Sequence, residues 1–195
     1  MKPLMLTFAA LALLVWMWSE YFRAIPNLQE AGVLNNFQVQ NQAPVSAVFT
    51  VIDKRYYSAG QNLIRPTAPV AGGFQHLEYL SNMDVLLSPI ERAAAIKNQT
   101  EWEQHGRCFT LKAKTGADAA DLLSEQLLNL SMIAQNEQAA NQLRKLKAGL
   151  AVQLYGHWAS VQSAKTSAIF LPALGHANSA RCKLFVLERI DVLGQ

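Results

Sequence analysis

Apolar and polar positions divide the chain into segments of different period. Leu4 to Trp18 carries no charge, and only Thr7 interrupts its apolar character. A helix without a polar face is one that apolar material surrounds. Pro3 to Phe22 has about the length of a membrane span, with Trp16, Trp18, Tyr21 and Phe22 as an interfacial aromatic belt and Arg23 beyond. Val45 to Asp53 is rich in β-branched and aromatic residues and predicts a strand. Lys54 to Gly73, with two prolines and three glycines, reads as loop, and Phe74 to Leu87 fits a short helix or a strand. Ser88-Pro89-Ile90-Glu91 has the form of a capping box and predicts a helix to about Gln104. Arg107 to Ala113 predicts a strand. In Asp118 to Leu130, residues Ala119, Leu122, Leu123, Leu127 and Leu130 share one helical stripe. A further helix over about Glu137 to Lys147 has Asn136 as its cap, basic residues in its last turns and Gly149 beyond. Leu150–Tyr155 and His157–Gln162 read as strand on either side of Gly156, which marks a bend or bulge. Ala164 to Ala180 is looser, and Cys182 to Leu193 alternates as a last strand.

These elements predict an α+β protein: an N-terminal transmembrane helix, then one mixed domain with a small C-terminal β-barrel-like or β-sheet part capped by helices. Residues 1–24 are the expected transmembrane signal anchor, 25–44 a linker rich in amides with Pro26 and Gly32, and 45–195 a single extracytoplasmic α+β domain. A cleaved signal peptide competes with the anchor, because Leu4–Trp18 also fits an h-region. Ser19 to Ala24 presents bulky residues where a cleavage site needs small ones, which favours the anchor. With Lys2 on the cytoplasmic side, the domain faces outward, into the periplasm of a two-membrane bacterium. The expected location is therefore the inner membrane, single-pass, through residues 3–22.

Charge changes this picture little. The excess of 17 basic over 14 acidic residues is small and dispersed, whereas nucleic-acid binding needs a clustered basic face. No nucleic-acid partner is expected. A hydrophobic content of 51% excludes a disordered chain.

Candidate chemistry is sparse. Cys108 and Cys182 belong to no CxxC pair, and no HExxH, GxSxG, phosphate loop or GxGxxG occurs, so neither a metal site nor a cofactor is predicted. Besides a nucleophilic cysteine, the two cysteines leave two readings open. One is a disulfide closing a loop of about 75 residues, worth about 4 kcal/mol; the other is a pair of buried free thiols. Arg107 and Arg181 each precede a cysteine and would lower a thiol pKa if exposed beside it. His76, His105, His157 and His176 are scattered partners for a Cys–His pair.

The stretch KLKAGLAVQLYGHWASV, with Asn129, Met132 and Ile133 before it and Cys182, Phe185, Val186 and Glu188 after it, resembles an uncharacterised group of small membrane-anchored bacterial proteins. Ser131 stands where that group has histidine, Ala134 where it has proline and Lys183 where it has glutamate, while Arg107 matches an arginine of the group. The resemblance implies a membrane-tethered domain of unassigned role, and the departures put histidine-based chemistry in doubt.

The expected function is a non-catalytic interaction or accessory subunit of an envelope complex with a protein partner. Two alternatives stand beside it: a periplasmic enzyme with a Cys/His site, and a barrel binding an envelope ligand, prompted by the strand-rich C-terminus and Trp158.

Overall fold

A computed structural model of the protein describes residues 7, 8, 10–15, 17, 24–57, 77–114, 122–171 and 178–194. Its strands are β1 (Phe37–Tyr56), β2 (Met83–Ser88), β3 (Thr100–His105), β4 (Cys108–Ala113), β5 (Leu128–Ala134), β6 (Ala151–Ser163) and β7 (Cys182–Val192). Its helices α1 (Ala93–Gln99) and α2 (Glu137–Lys145) lie between β2 and β3 and between β5 and β6. Among the described residues, five strands close a barrel in the order β1-β2-β5-β7-β6, and β3 and β4 form a separate hairpin. Neighbouring barrel strands are antiparallel except β5 and β7, which run parallel. This order, the parallel pair and the helix between the third and fourth barrel strands make up the topology of the OB fold, a five-stranded Greek-key barrel.

Period-two alternation fills the interior. Met83, Val85 and Leu87 of β2 meet Leu130, Met132 and Ala134 of β5, Val152 and Leu154 of β6, and Phe185 and Leu187 of β7. Helix α2 plugs the barrel with Ala139, Ala140 and Leu143. Its start is fixed as the sequence predicts, because the Asn136 side chain accepts from the Ala139 amide at 2.9 Å. Gln142 reads the β7 backbone in both directions: its Nε2 donates to the Ile190 carbonyl and its Oε1 accepts from the Ile190 amide, each at 3.0 Å.

The α+β expectation is corrected. Strands hold 48% of the residues, and the five barrel strands are spread from Phe37 to Val192 rather than confined to the C-terminal third. The predicted transmembrane helix is corrected as well, since among the described residues no helix is long and apolar enough to cross a membrane. Leu4–Trp18 alone, at 1.5 Å per residue, covers about 22 Å of a core about 30 Å thick, so the expected span depends on Pro3 and on residues 19–22, which lie outside the described residues. Residues 7, 8, 10–15 and 17 are helical, and the side chains there are exposed, Phe8 by 78% and Leu14 by 61%.

Local readings differ for identifiable reasons. β1 begins at Phe37, inside the amide-rich stretch assigned to a linker. Its polar residues sit on a strand with one wet side, where polarity carries no penalty. The helix expected to reach Gln104 stops at Gln99, where Thr100 turns its hydroxyl back onto the Ile96 carbonyl and Thr100–His105 pairs with β4. Ser88 does not cap; it ends β2 and bonds the Pro89 carbonyl instead. Of the stripe Asp118–Leu130, residues 118–121 lie outside the described residues, 122–124 are helical, and Leu128 opens β5. Most of the loop expected over 54–73 also lies outside them, as do 172–177 of the looser stretch.

Gly156 is the bulge the sequence marked. β6 runs through it as one strand, with its register against β7 shifting between Tyr155 and Gly156. A Cβ there would run into the Val186 carbonyl oxygen and the Phe185 ring. Gly156→Ala is therefore expected to cost about 3 kcal/mol, the upper part of the overpacking range, in urea denaturation. A loss below about 1 kcal/mol would show that β7 can move aside.

Candidate functional site

The alternation that sends Met83, Val85 and Leu87 inward turns Asp84 and Leu86 to the outer face of β2. On the paired β5 the outward residues are Asn129 and Ser131, opposite Leu86 and Asp84 respectively. In OB barrels the outer face of the second and third strands, flanked by loops, is where ligands sit. Here that face is covered by the chain's own hairpin β3–β4, which is inserted between those two strands.

The hairpin is seated by a mixture of apolar and polar contacts. Phe109 and Cys108 pack with Ile52, Leu86, Ile96 and Leu127 in one buried cluster. Trp102 Nε1 donates to Asp53 at 2.9 Å, the Arg55 guanidinium donates to the Gln104 carbonyl, and Gln104 Nε2 donates to Asn129 Oδ1 at 2.7 Å. The turn between the strands is Gly106-Arg107, with φ of 58° and 65°. Two successive positive φ values characterise a two-residue type I′ hairpin turn. A non-glycine residue pays about 1–2 kcal/mol for that conformation, so Arg107 must be held there by its side chain.

Asp84 holds it. The Arg107 guanidinium meets Asp84 Oδ1 at 3.2 Å, and the two side chains are 1% and 0% exposed. Ser131 Oγ donates to the same oxygen at 2.7 Å, and Asp84 Oδ2 accepts from the Tyr57 hydroxyl at 2.9 Å and from Asn129 Nδ2 at 3.3 Å. Arg107 also donates to the Ser81 carbonyl at 2.8 Å and lies 4.0 Å over the Tyr57 ring. Burial, and then the adjacent Asp84 carboxylate, push the Tyr57 phenol far above its ordinary pKa, while Arg107 opposes the shift.

Beside this network lies a cavity of about 510 Å³, lined by Tyr57, Asn82, Glu30, Glu78, Tyr79 and Phe37 among others. Asn82 Nδ2 bonds the Ala24 carbonyl at 2.9 Å and ties the N-terminal stretch to the rim.

Of the residues the sequence singled out, Cys108 and Cys182 come together in a disulfide, with Cα atoms 5.2 Å apart and a sequence separation of 74. His157 lies on the outer wall, 3.1 Å from Glu188 and away from both cysteines. His105 ends β3, whereas His76 and His176 lie outside the described residues. Arg181 ends the short turn before β7, and Arg107 is paired to Asp84 rather than aimed at a thiol. Among the described residues no three His, Cys, Asp or Glu side chains are grouped to hold a metal ion. Sequence reasoning passed over Asp84 and Tyr57. The available signal was polar residues within otherwise apolar strands, Asp84 in MDVLLS and Asn129 and Ser131 in LNLSMIA.

Neither a protein-family model, nor a curated protein, nor a solved structure matches the chain.

Two predictions follow from the network. Asp84→Ala leaves Arg107 buried without its counter-charge and is expected to cost about 3–5 kcal/mol. Asp191→Ala breaks the exposed Arg189–Asp191 pair and is expected to cost less than about 1 kcal/mol; equal losses in thermal unfolding would refute the distinction. Because the Tyr57 pKa is raised on folding, the folded state keeps a proton that the unfolded state releases near pH 10. Stability is full below that pH and falls above it. Tyr57→Phe should flatten this alkaline limb relative to wild type in urea titrations from pH 8 to 11.

Proposed function

We propose that the protein is an extracytoplasmic, membrane-associated interaction domain, an accessory subunit of an envelope complex without a catalytic role. The observation that carries this reading is the Cys108–Cys182 disulfide, which fastens the hairpin over the barrel face. Disulfides persist in oxidising compartments and are rare in the cytosol. A barrel whose usual ligand face is filled by its own chain offers its remaining surfaces to partners. The apolar residues 4–18, with described side chains facing outward, support attachment to a lipid surface. A Cys/His enzyme is disfavoured because the disulfide leaves neither sulfur as a thiolate nucleophile.

A second reading, a barrel that takes a small envelope ligand, is favoured by the cavity beside Tyr57 and Asn82.

Crosslinking in intact cells, followed by membrane co-purification and thiol counting under denaturing conditions, tests the proposal. The expected outcome is a membrane-fraction complex containing a second protein and no titratable thiol. Recovery as a lone species, or two alkylatable cysteines, would overturn it.

A further inference from the structure

We propose that the free edge of β1 over residues 45–49 accepts an extended segment of a partner protein, which adds a strand to the barrel. The proposal rests on the interaction reading above and names the surface that reading leaves open. β1 is long enough to serve two neighbours. Residues 50–56 pair with β2 on one side, whereas residues 37–49 pair with β6 alone among the described residues. Among the described residues, Val45 to Phe49 therefore presents one row of backbone N–H and C=O groups with no strand beside it, the template that strand addition uses.

Such edges are ordinarily blunted with charge, yet no Asp, Glu, Lys or Arg occurs from Phe37 to Ile52. The blunting here is local: the register shift between Asn41 and Pro44, and Pro44 itself, interrupt the edge. Beyond them Val45 to Phe49 is regular and leads directly into the section paired with β2. Val45 and Phe49 are half-buried against the barrel core, and Ser46 and Val48 are exposed on the other face. The matching segment is uncharged and extended, with apolar residues at alternate positions to cover Val45 and Phe49.

A second copy of this chain fits less well. Antiparallel pairing of two such edges must centre near residue 43, because a centre nearer Phe49 sets the copy against Thr50–Tyr56, where β2 already lies. A centre at 43 places both Pro44 residues and both register shifts in the middle of the new ladder. A partner segment brings no second proline.

The test places a photocrosslinking phenylalanine analogue singly at Ser46, Val48, Gln153 and Lys183 of the full chain in intact cells. The expected result is an adduct from Ser46 and Val48 with one other protein. Its attachment points there should step by two residues as the probe moves by two, and the yield should fall at least tenfold with Val48→Lys or, independently, Ser46→Pro. Circular dichroism of each variant confirms that the barrel is folded. Adducts from Gln153 or Lys183 alone would overturn the edge and leave the interaction reading standing. An adduct between two copies would overturn the heterotypic partner, and no adduct from any position would overturn both readings.

Discussion

Asp84 has no access to solvent, and the donors around it come from separate stretches of chain: Tyr57 at the end of β1, Arg107 in the hairpin turn, and Asn129 and Ser131 on β5. An isolated carboxylate moved into such a place would protonate or unfold the site. It is tolerated because each oxygen is occupied and an opposite charge lies beside it. The same pairing explains the backbone at Arg107. A left-handed arginine is unfavourable by itself, and its guanidinium compensates by reaching Asp84, the Ser81 carbonyl and the Tyr57 ring at once. Apolar burial supplies the attraction between hairpin and barrel, but it does not specify one seating. The carboxylate does, because a shift of one residue in the hairpin would strand two buried charges.

The covered face is a consequence of where the hairpin is inserted. It leaves the barrel after β2 through α1 and returns to β5 through residues 114–127, so it lies beside the two strands it covers. Once seated, it spends the outer surface of β2 and β5 on internal contacts. What OB barrels offer to a ligand is here converted into core, and Phe109, Cys108, Leu86 and Ile96 of that cluster are fully buried. The surfaces this leaves open among the described residues are the rim cavity by Tyr57, the outer wall of β6 and β7, and the edge of β1 over residues 45–49.

Much of this was legible in the residues, and the failures have physical causes. Asn136 as a cap, Gly156 as a bulge and the strands β6 and β7 follow from local rules, because each depends on neighbours close in sequence. The length of β1 was not legible: Gln38, Gln40 and Gln42 look like linker, since a strand with a wet face needs no apolar pattern there. Thr100–His105 was read as helix because its conformation is imposed by β4 and by the grip of Asp53 on Trp102, contacts made across 49 residues. The two cysteines were visible as candidates, yet their pairing depends on a tertiary approach that no spacing reveals. Asp84 was hidden for the opposite reason. A single acid in an apolar strand carries its meaning only when the arginine that meets it is known.

Tip and disulfide act on different states of the chain, which is why both are present. Arg107 reaches β2 through Asp84, its carbonyl accepts from Asn129 of β5, and the next residue, Cys108, is bonded to Cys182 at the start of β7. Asn129 and Cys182 face each other across the parallel seam, so two consecutive hairpin residues staple three neighbouring strands. That seam is a costly non-local pairing, joining positions 53 apart in sequence (129 and 182). The disulfide lowers the cost by restricting the unfolded chain. The ion pair does nothing for the unfolded chain and acts only after the barrel wall has formed around it. Reduction would therefore raise the entropy of the unfolded state while leaving Asp84, Arg107 and the apolar cluster to hold the hairpin in its native seat.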